Sequence, residues 1–261
     1  MMPYLWEQMT WDEFKSMVDA GVDTAFLPCG SIEQHGKHMP LGSDAFIAHA
    51  LCMEIAKTVP ALVAPPIYWG CCSHPYDVTS FPGVHTLDDD LLIGLYVSIA
   101  ASLSRHGLRR FVLMNAHAGN SAACELAVQQ IRRTTGGAAG TLSWRSAAGS
   151  VIAELREQGP HMGIHACEIE TSVALALMGD MVHMDKAQAN PKIAYPDVSL
   201  SWDVDPGPRA WFNWDFDNSC SEPGNMGDPR LASVEKGRRI VEATVEVTKA
   251  LLESLARQLN S

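Results

Sequence analysis

Thr24-Ala25-Phe26-Leu27-Pro28-Cys29-Gly30-Ser31-Ile32-Glu33-Gln34-His35-Gly36 changes character halfway along. The run 24–27 is apolar and of strand length, and Pro28, which lacks an N–H, is expected to end the strand. A Gly-bounded polar loop follows. Residues 44–57 then read as a helix, and 62–64 as a second short strand stopped by Pro65-Pro66. Strand, polar loop, helix and strand form the repeating unit of α/β proteins, whose ligand sites lie beyond the C-terminal ends of the strands.

The same alternation extends in both directions. Upstream, Thr10 is placed to cap a helix over 11–20. Downstream, 67–87 is a long Gly/Pro/His/Tyr-rich connection of the kind that usually carries function. Residues 87–106 read as a helix with Asp88, Asp89 and Asp90 beside the positive end of its dipole. A strand at 110–114, a helix at 120–133, a strand at 138–144, a helix at 165–178 and a long amphipathic helix at 233–259 complete the pattern. The segment 190–225, rich in Pro, Asp and aromatics, reads as a surface excursion. Its Trp202, Trp211 and Trp214 suit a subunit interface. No repeat or Gly/Ser linker divides the chain, which reads as one domain over 1–261.

Composition narrows the function. A formal charge of -11 disfavours nucleic acid or an anionic membrane as partner, since both need clustered Lys and Arg, and leaves a small molecule. The N-terminal residues show no basic segment followed by an apolar one, and no window is apolar enough to span a bilayer, so the expected location is the cytoplasm. Seven Cys without paired CxxC spacing read as free thiols, Cys71-Cys72 included.

Three segments carry candidate chemistry. In extended backbone Glu33 and His35 point the same way and can share one metal cluster, with Asp44 at a helix start free to bridge. His117, in Asn115-Ala116-His117-Ala118-Gly119-Asn120, follows a strand and projects toward the same crevice. The plainer reading makes this a strand-to-helix turn with Asn120 as its N-cap, and the two are compatible. In His165-Ala166-Cys167-Glu168-Ile169-Glu170-Thr171-Ser172, the pair His165 and Glu168 shares a helical face, whereas Glu170 lies about 140° from His165 unless His165 precedes the helix. Carboxylate with imidazole suits Zn, and with more oxygen ligands Mn or Fe.

Together these segments, with Phe81-Pro82-Gly83, Gly227-Asp228-Pro229 and Glu235-Lys236-Gly237, resemble the blocks of the creatininase family over residues 20–240. The resemblance implies a three-layer α/β/α sandwich with a mostly parallel central sheet and two divalent metal ions: Zn, with Mn or Fe possible at one site. By its pattern Glu33 and His117 hold one ion, His35 the other, and Asp44 bridges them. His165 and Glu170 are then catalytic, His165 as proton shuttle, and the chain assembles as a homohexamer. Creatininase proper has a metal-binding carboxylate two residues after the second-block histidine, where this chain has Gly119. Glu170 is the first candidate to replace it and Glu168 the second. Trp144, Glu168 and His74 are candidate substrate contacts, with His85 and Trp69 as further pocket candidates.

The implied activity is hydrolysis of a cyclic amide or other C–N bond of a small metabolite. A carbocyclic ketone such as an inosose, or a silent metal-binding oligomer, are the alternatives. A thiol mechanism through Cys29 or Cys167 stays open, although a nucleophilic thiol normally needs a base of its own.

Overall fold

The computed structural model describes residues 5–71, 80–159, 165–190 and 223–259. Four parallel strands, β1 (Thr24–Cys29), β2 (Leu62–Val63), β3 (Arg110–Asn115) and β4 (Ala138–Ser143), form a sheet in the order β2-β1-β3-β4. Their register pairs Ala25 with Leu62, Cys29 with Asn115, and Asn115 with Ser143. The chain leaves β1 toward one edge and β3 toward the other, so a crevice opens between the C-terminal ends of these two central strands.

β1 runs on through Pro28 to Cys29 instead of ending at the proline. Pro28 is tolerated because its carbonyl still accepts from the Ile67 N–H at 3.0 Å, beyond the point where β2 has ended at Val63.

Alternate residues of the strands feed two cores, one on each face of the sheet. Phe26 and Met114 pack with α2 (Ser43–Ala56) and with two helices from the C-terminal part of the chain. Leu27, Phe111 and Leu113 pack with α1 (Trp11–Asp19), α3 (Asp89–Ser104) and α4 (Ser121–Thr135). The result is the expected α/β/α sandwich. Thr10 caps α1 as predicted, in a capping box with Glu13.

Differences from the sequence reading are local. Trp144 does not close β4; it opens a short helix, α5 (Trp144–Ala147), followed by α6 (Gly149–Leu155), neither of which has a clear periodic signal. The third-block helix, α7 (Glu168–Met178), begins three residues later than 165 because Ala166 is in the left-handed region at φ 46°. The final helix, α8 (Val234–Leu259), packs on α7. Gly237 permits that approach, since a Cβ there would lie 1.9 Å from the Ser172 carbonyl oxygen. No described helix is long and apolar enough to cross a membrane.

Candidate metal centre

Helix α2 carries Asp44 into the crevice because it packs directly on the end of β1. A Cβ on Gly30 would fall 2.3 Å from Ala45 Cα, so only glycine allows this contact. The intervening loop is tied by the Glu33 N–H to the Leu41 carbonyl and by the Ser43 hydroxyl to the Pro40 carbonyl. Asn120 occupies the N-cap position of α4 without capping it. Its amide instead accepts from the Cys71 N–H at 2.8 Å and donates to the Gly30 carbonyl at 2.9 Å, lashing together the segments that follow β1, β2 and β3.

Six sequence-predicted residues converge there. His117 Nδ1 lies 3.0 Å from Glu33 Oε2 and 3.1 Å from Asp44 Oδ2, and His35 Nε2 lies 3.2 Å from Asp44 Oδ1. Ligand atoms of Glu33, Asp44 and His117 lie within 4.8 Å of one another, and so do those of His35, Asp44 and Glu170. Asp44 belongs to both groups, one oxygen turned toward each imidazole. A third grouping joins Glu33 and His35 to His165.

Backbone carbonyls orient both imidazoles from behind. His35 donates from Nδ1 to the Glu33 carbonyl at 3.1 Å and presents Nε2; His117 donates from Nε2 to the Cys71 carbonyl at 3.1 Å and presents Nδ1. Such anchoring fixes which ring nitrogen is offered to an ion. Asp44 Oδ2 is buried without a hydrogen-bond partner. Two carboxylates thus converge on the Nδ1 of His117, and the donor set fits a divalent cation.

Without an ion, protons compensate. Burial disfavours the imidazolium of His35, but Asp44, then Glu170 and Glu33, outweigh it and hold its pKa at about 10. The same opposition, with Glu33 and Asp44 prevailing, raises His117 well above its ordinary value. Burial would raise Glu33, yet His117 and His165 pull it down to about 2, and Asp44 is lowered chiefly by His35 against its own burial. Both imidazoles therefore keep their protons through the neutral range, and an ion must displace them. Metal binding near pH 7 is expected to release about two protons per chain and to strengthen as pH rises. Calorimetric titration in buffers of different ionisation enthalpy measures this; heats independent of buffer would contradict it.

Glu170 and Glu168, the two candidates for the missing ligand, separate clearly. Glu170 faces the cluster, its Oε1 accepting from Arg145 Nη2 at 2.8 Å and its Oε2 from the Ala166 N–H at 2.6 Å. Burial raises its pKa, but Arg145 and then His35 lower it overall. Glu168 points away and is withdrawn as a ligand or substrate contact. Its carboxylate accepts from the N–H groups of Glu157 and Gln158 and from Lys236 Nζ at 2.6 Å.

His165 stands in the loop before α7, which removes the angular conflict with Glu170. Its Nε2 lies 2.6 Å from the Gln34 backbone carbonyl oxygen and 2.9 Å from the Gln34 side-chain nitrogen, and its Nδ1 faces Glu33 Oε2 at 3.9 Å. Trp144 is buried in the core with Arg145 Cζ 4.7 Å from its ring centroid, so its indole has no open face for a substrate. His74 lies outside the described residues, as do Trp202, Trp211 and Trp214. Trp69 and His85 are exposed, and neither joins the cluster.

Sequence reasoning missed two groups. His38, buried beneath the cluster, is hydrogen-bonded through Nε2 to Thr171 Oγ1 at 2.9 Å, and burial followed by His35 lowers it to about 4. Arg145 has no motif, although a cation just past a strand end sits where Glu33 and His117 do. The thiol alternative loses ground: Cys29 and Cys167 are buried, and burial, their largest influence, raises both pKa values.

Gly119 is closed to any side chain. A Cβ would lie 2.2 Å from the Cys71 carbonyl oxygen and 2.5 Å from His117 Nε2, disrupting the bond that orients His117. Gly119→Glu is therefore expected to lower bound metal rather than restore a ligand, by about ten-fold or more in affinity. Elemental analysis of the dialysed variant checks this, and wild-type metal content would contradict it.

Comparison with known proteins agrees with this geometry. The creatininase family model, described as creatinine amidohydrolase, matches residues 7–252. Creatinine amidohydrolase of Pseudomonas putida is 32% identical over 260 residues, covering 92% of each chain. A 3-dehydro-scyllo-inosose hydrolase of Thermotoga maritima is 29% identical over 244 residues, covering 89% of this chain and 78% of its own. A mutant creatininase solved in a Zn-Zn form superposes with a TM-score of 0.82 at 28% identity, over 97% of this chain and 98% of that one. With the family model spanning nearly the whole chain and the candidate metal ligands gathered at one sheet edge, this chain belongs to the creatininase family of hydrolases.

Proposed function

We propose that the protein is a binuclear metal-dependent hydrolase of a cyclic amide or other C–N bond in a small metabolite. One observation carries this reading: two triads, Glu33/Asp44/His117 and His35/Asp44/Glu170, share the buried carboxylate of Asp44. In this reading each triad holds one divalent ion, Zn with Mn or Fe at one site, and Glu170 supplies the anionic ligand that Gly119 cannot. Paired ions supply a water nucleophile at neutral pH and polarise the carbonyl under attack.

The chain's own residues complete the chemistry. His165 turns Nδ1 toward the cluster while Gln34 holds its Nε2 from behind, so Nδ1 is the atom placed to exchange a proton with the leaving nitrogen. His165→Ala is expected to keep its metals and lose turnover by about 100-fold or more. Unchanged turnover would remove the role.

The inosose hydrolase relative keeps a second reading in view, C–C cleavage of a carbocyclic ketone. Creatinine, formamidopyrimidines and inososes tested as a panel, with products identified by mass, separate the two. Turnover of none of them by protein holding less than stoichiometric metal would favour a silent oligomer. Assembly as a homohexamer and a cytoplasmic location belong to the same proposal, resting on the family resemblance and the composition, and native mass measurement tests the first.

A further inference from the structure

We propose that Arg145 is a specificity-determining residue of this site and selects substrates that carry a carboxylate near the bond to be cleaved. The inference deepens the two-ion hydrolase reading and rests on it for its charge argument. Its geometric basis is independent. Arg145 leaves the sheet just beyond β4, whose last residue, Ser143, is in register with Asn115 of β3, so it emerges at the edge that carries His117. Its guanidinium is held by several neighbours, the side chain of Cys167 among them. Nη2 donates to Glu170 Oε1 at 2.8 Å, and the guanidinium carbon lies 4.7 Å from the ring centroid of the buried Trp144. A planar cation fixed in this way is prepared to bind a planar anion with little loss of side-chain freedom.

Exposure singles it out. Side chains of Glu33, Asp44, His117 and Glu170 are all at least nine-tenths buried, whereas Arg145 is 25% exposed and His165 16%. An incoming molecule therefore meets these two groups, His165 at the departing nitrogen and Arg145 at a neighbouring substituent. Charge points the same way. Three carboxylates set against two divalent ions and a guanidinium leave the loaded site net positive, and Gly119 withholds the carboxylate that creatininase proper places there. An anionic substrate is thus attracted and a cationic one repelled.

N-formylglycine and N-formylglycinamide, formamides that differ in a carboxylate against a neutral amide, provide the test. Calorimetry on the metal-loaded protein measures their affinities without requiring turnover. The wild type is expected to bind N-formylglycine more tightly by about ten- to hundred-fold. Arg145→Gln should bring the ratio close to one, and Arg145→Lys should retain part of it, both measured at saturating metal because Arg145 also supports Glu170. A purely structural role would weaken both ligands together and leave the ratio unchanged. Equal affinities in the wild type would overturn the inference, as would a preference that survives in Arg145→Gln, which would mean that the carboxylate binds the ions directly. Hydrolysis is read separately: failure to cleave any C–N substrate counts against the hydrolase reading alone.

Discussion

Asp44→Asn is expected to remove both metal ions and with them all measurable turnover, while leaving the fold in place. The change is isosteric and deletes one negative charge, but that charge serves both triads. Asp44 Oδ1 faces His35 Nε2 at 3.2 Å, and Oδ2 faces His117 Nδ1 at 3.1 Å. No other residue belongs to both. Replacement of groups that only support a metal ligand typically costs 10- to 100-fold in affinity or activity, so loss of the bridging ligand should exceed about 100-fold. Single-triad variants give the contrast: Glu33→Gln should weaken chiefly the ion shared with His117, and Glu170→Gln chiefly the one shared with His35. Elemental analysis of the three dialysed variants distinguishes them. Retention of both ions by Asp44→Asn would refute the shared-carboxylate arrangement.

Glu168→Ala should do the reverse, destabilising the fold while sparing the site. Glu168 is fully buried, and its carboxylate joins the start of α7 to the N–H groups of Glu157 and Gln158 and to Lys236 at the start of α8. Truncation strands two backbone donors and takes one of three partners from the Lys236 ammonium. Breaking one partner out of a buried ion pair costs about 3–5 kcal/mol. The lower end applies here, because Lys236 also contacts Glu157 and the Leu231 carbonyl and keeps those partners. A fall of about 3 kcal/mol corresponds to roughly 10 °C in melting temperature for a chain of this size. Thermal unfolding with parallel metal analysis checks the prediction. An unchanged melting temperature together with lost metal would return Glu168 to the site.

These two glutamates mark where the sequence stops being informative. Glu33, His35, Asp44 and His117 were legible because each sits just after a buried strand or at the helix start packed on one, and strand ends converge in an α/β sheet. The strand-helix alternation was legible for the same reason, since periodicity reports which face is buried. Glu168 and Glu170 lie in one helical turn, and choosing between them required knowing where α7 begins. That start is set by the left-handed backbone of Ala166, a residue whose type gives no hint of it. Lys236, the partner that draws Glu168 away, is 68 residues distant. Arg145 was invisible for a related reason: a single Arg after a strand acquires meaning only once Glu170 and Trp144 are placed against it. Trp144 itself was misread, because an aromatic at a strand end fits a pocket wall or a core equally well until its burial is known.

Elemental analysis of the purified wild-type chain tests the central claim most directly. The account predicts about two divalent ions per chain, zinc or zinc with manganese or iron. Stoichiometric binding of neither zinc, manganese nor iron, in protein that is folded and has been offered these ions, would contradict it.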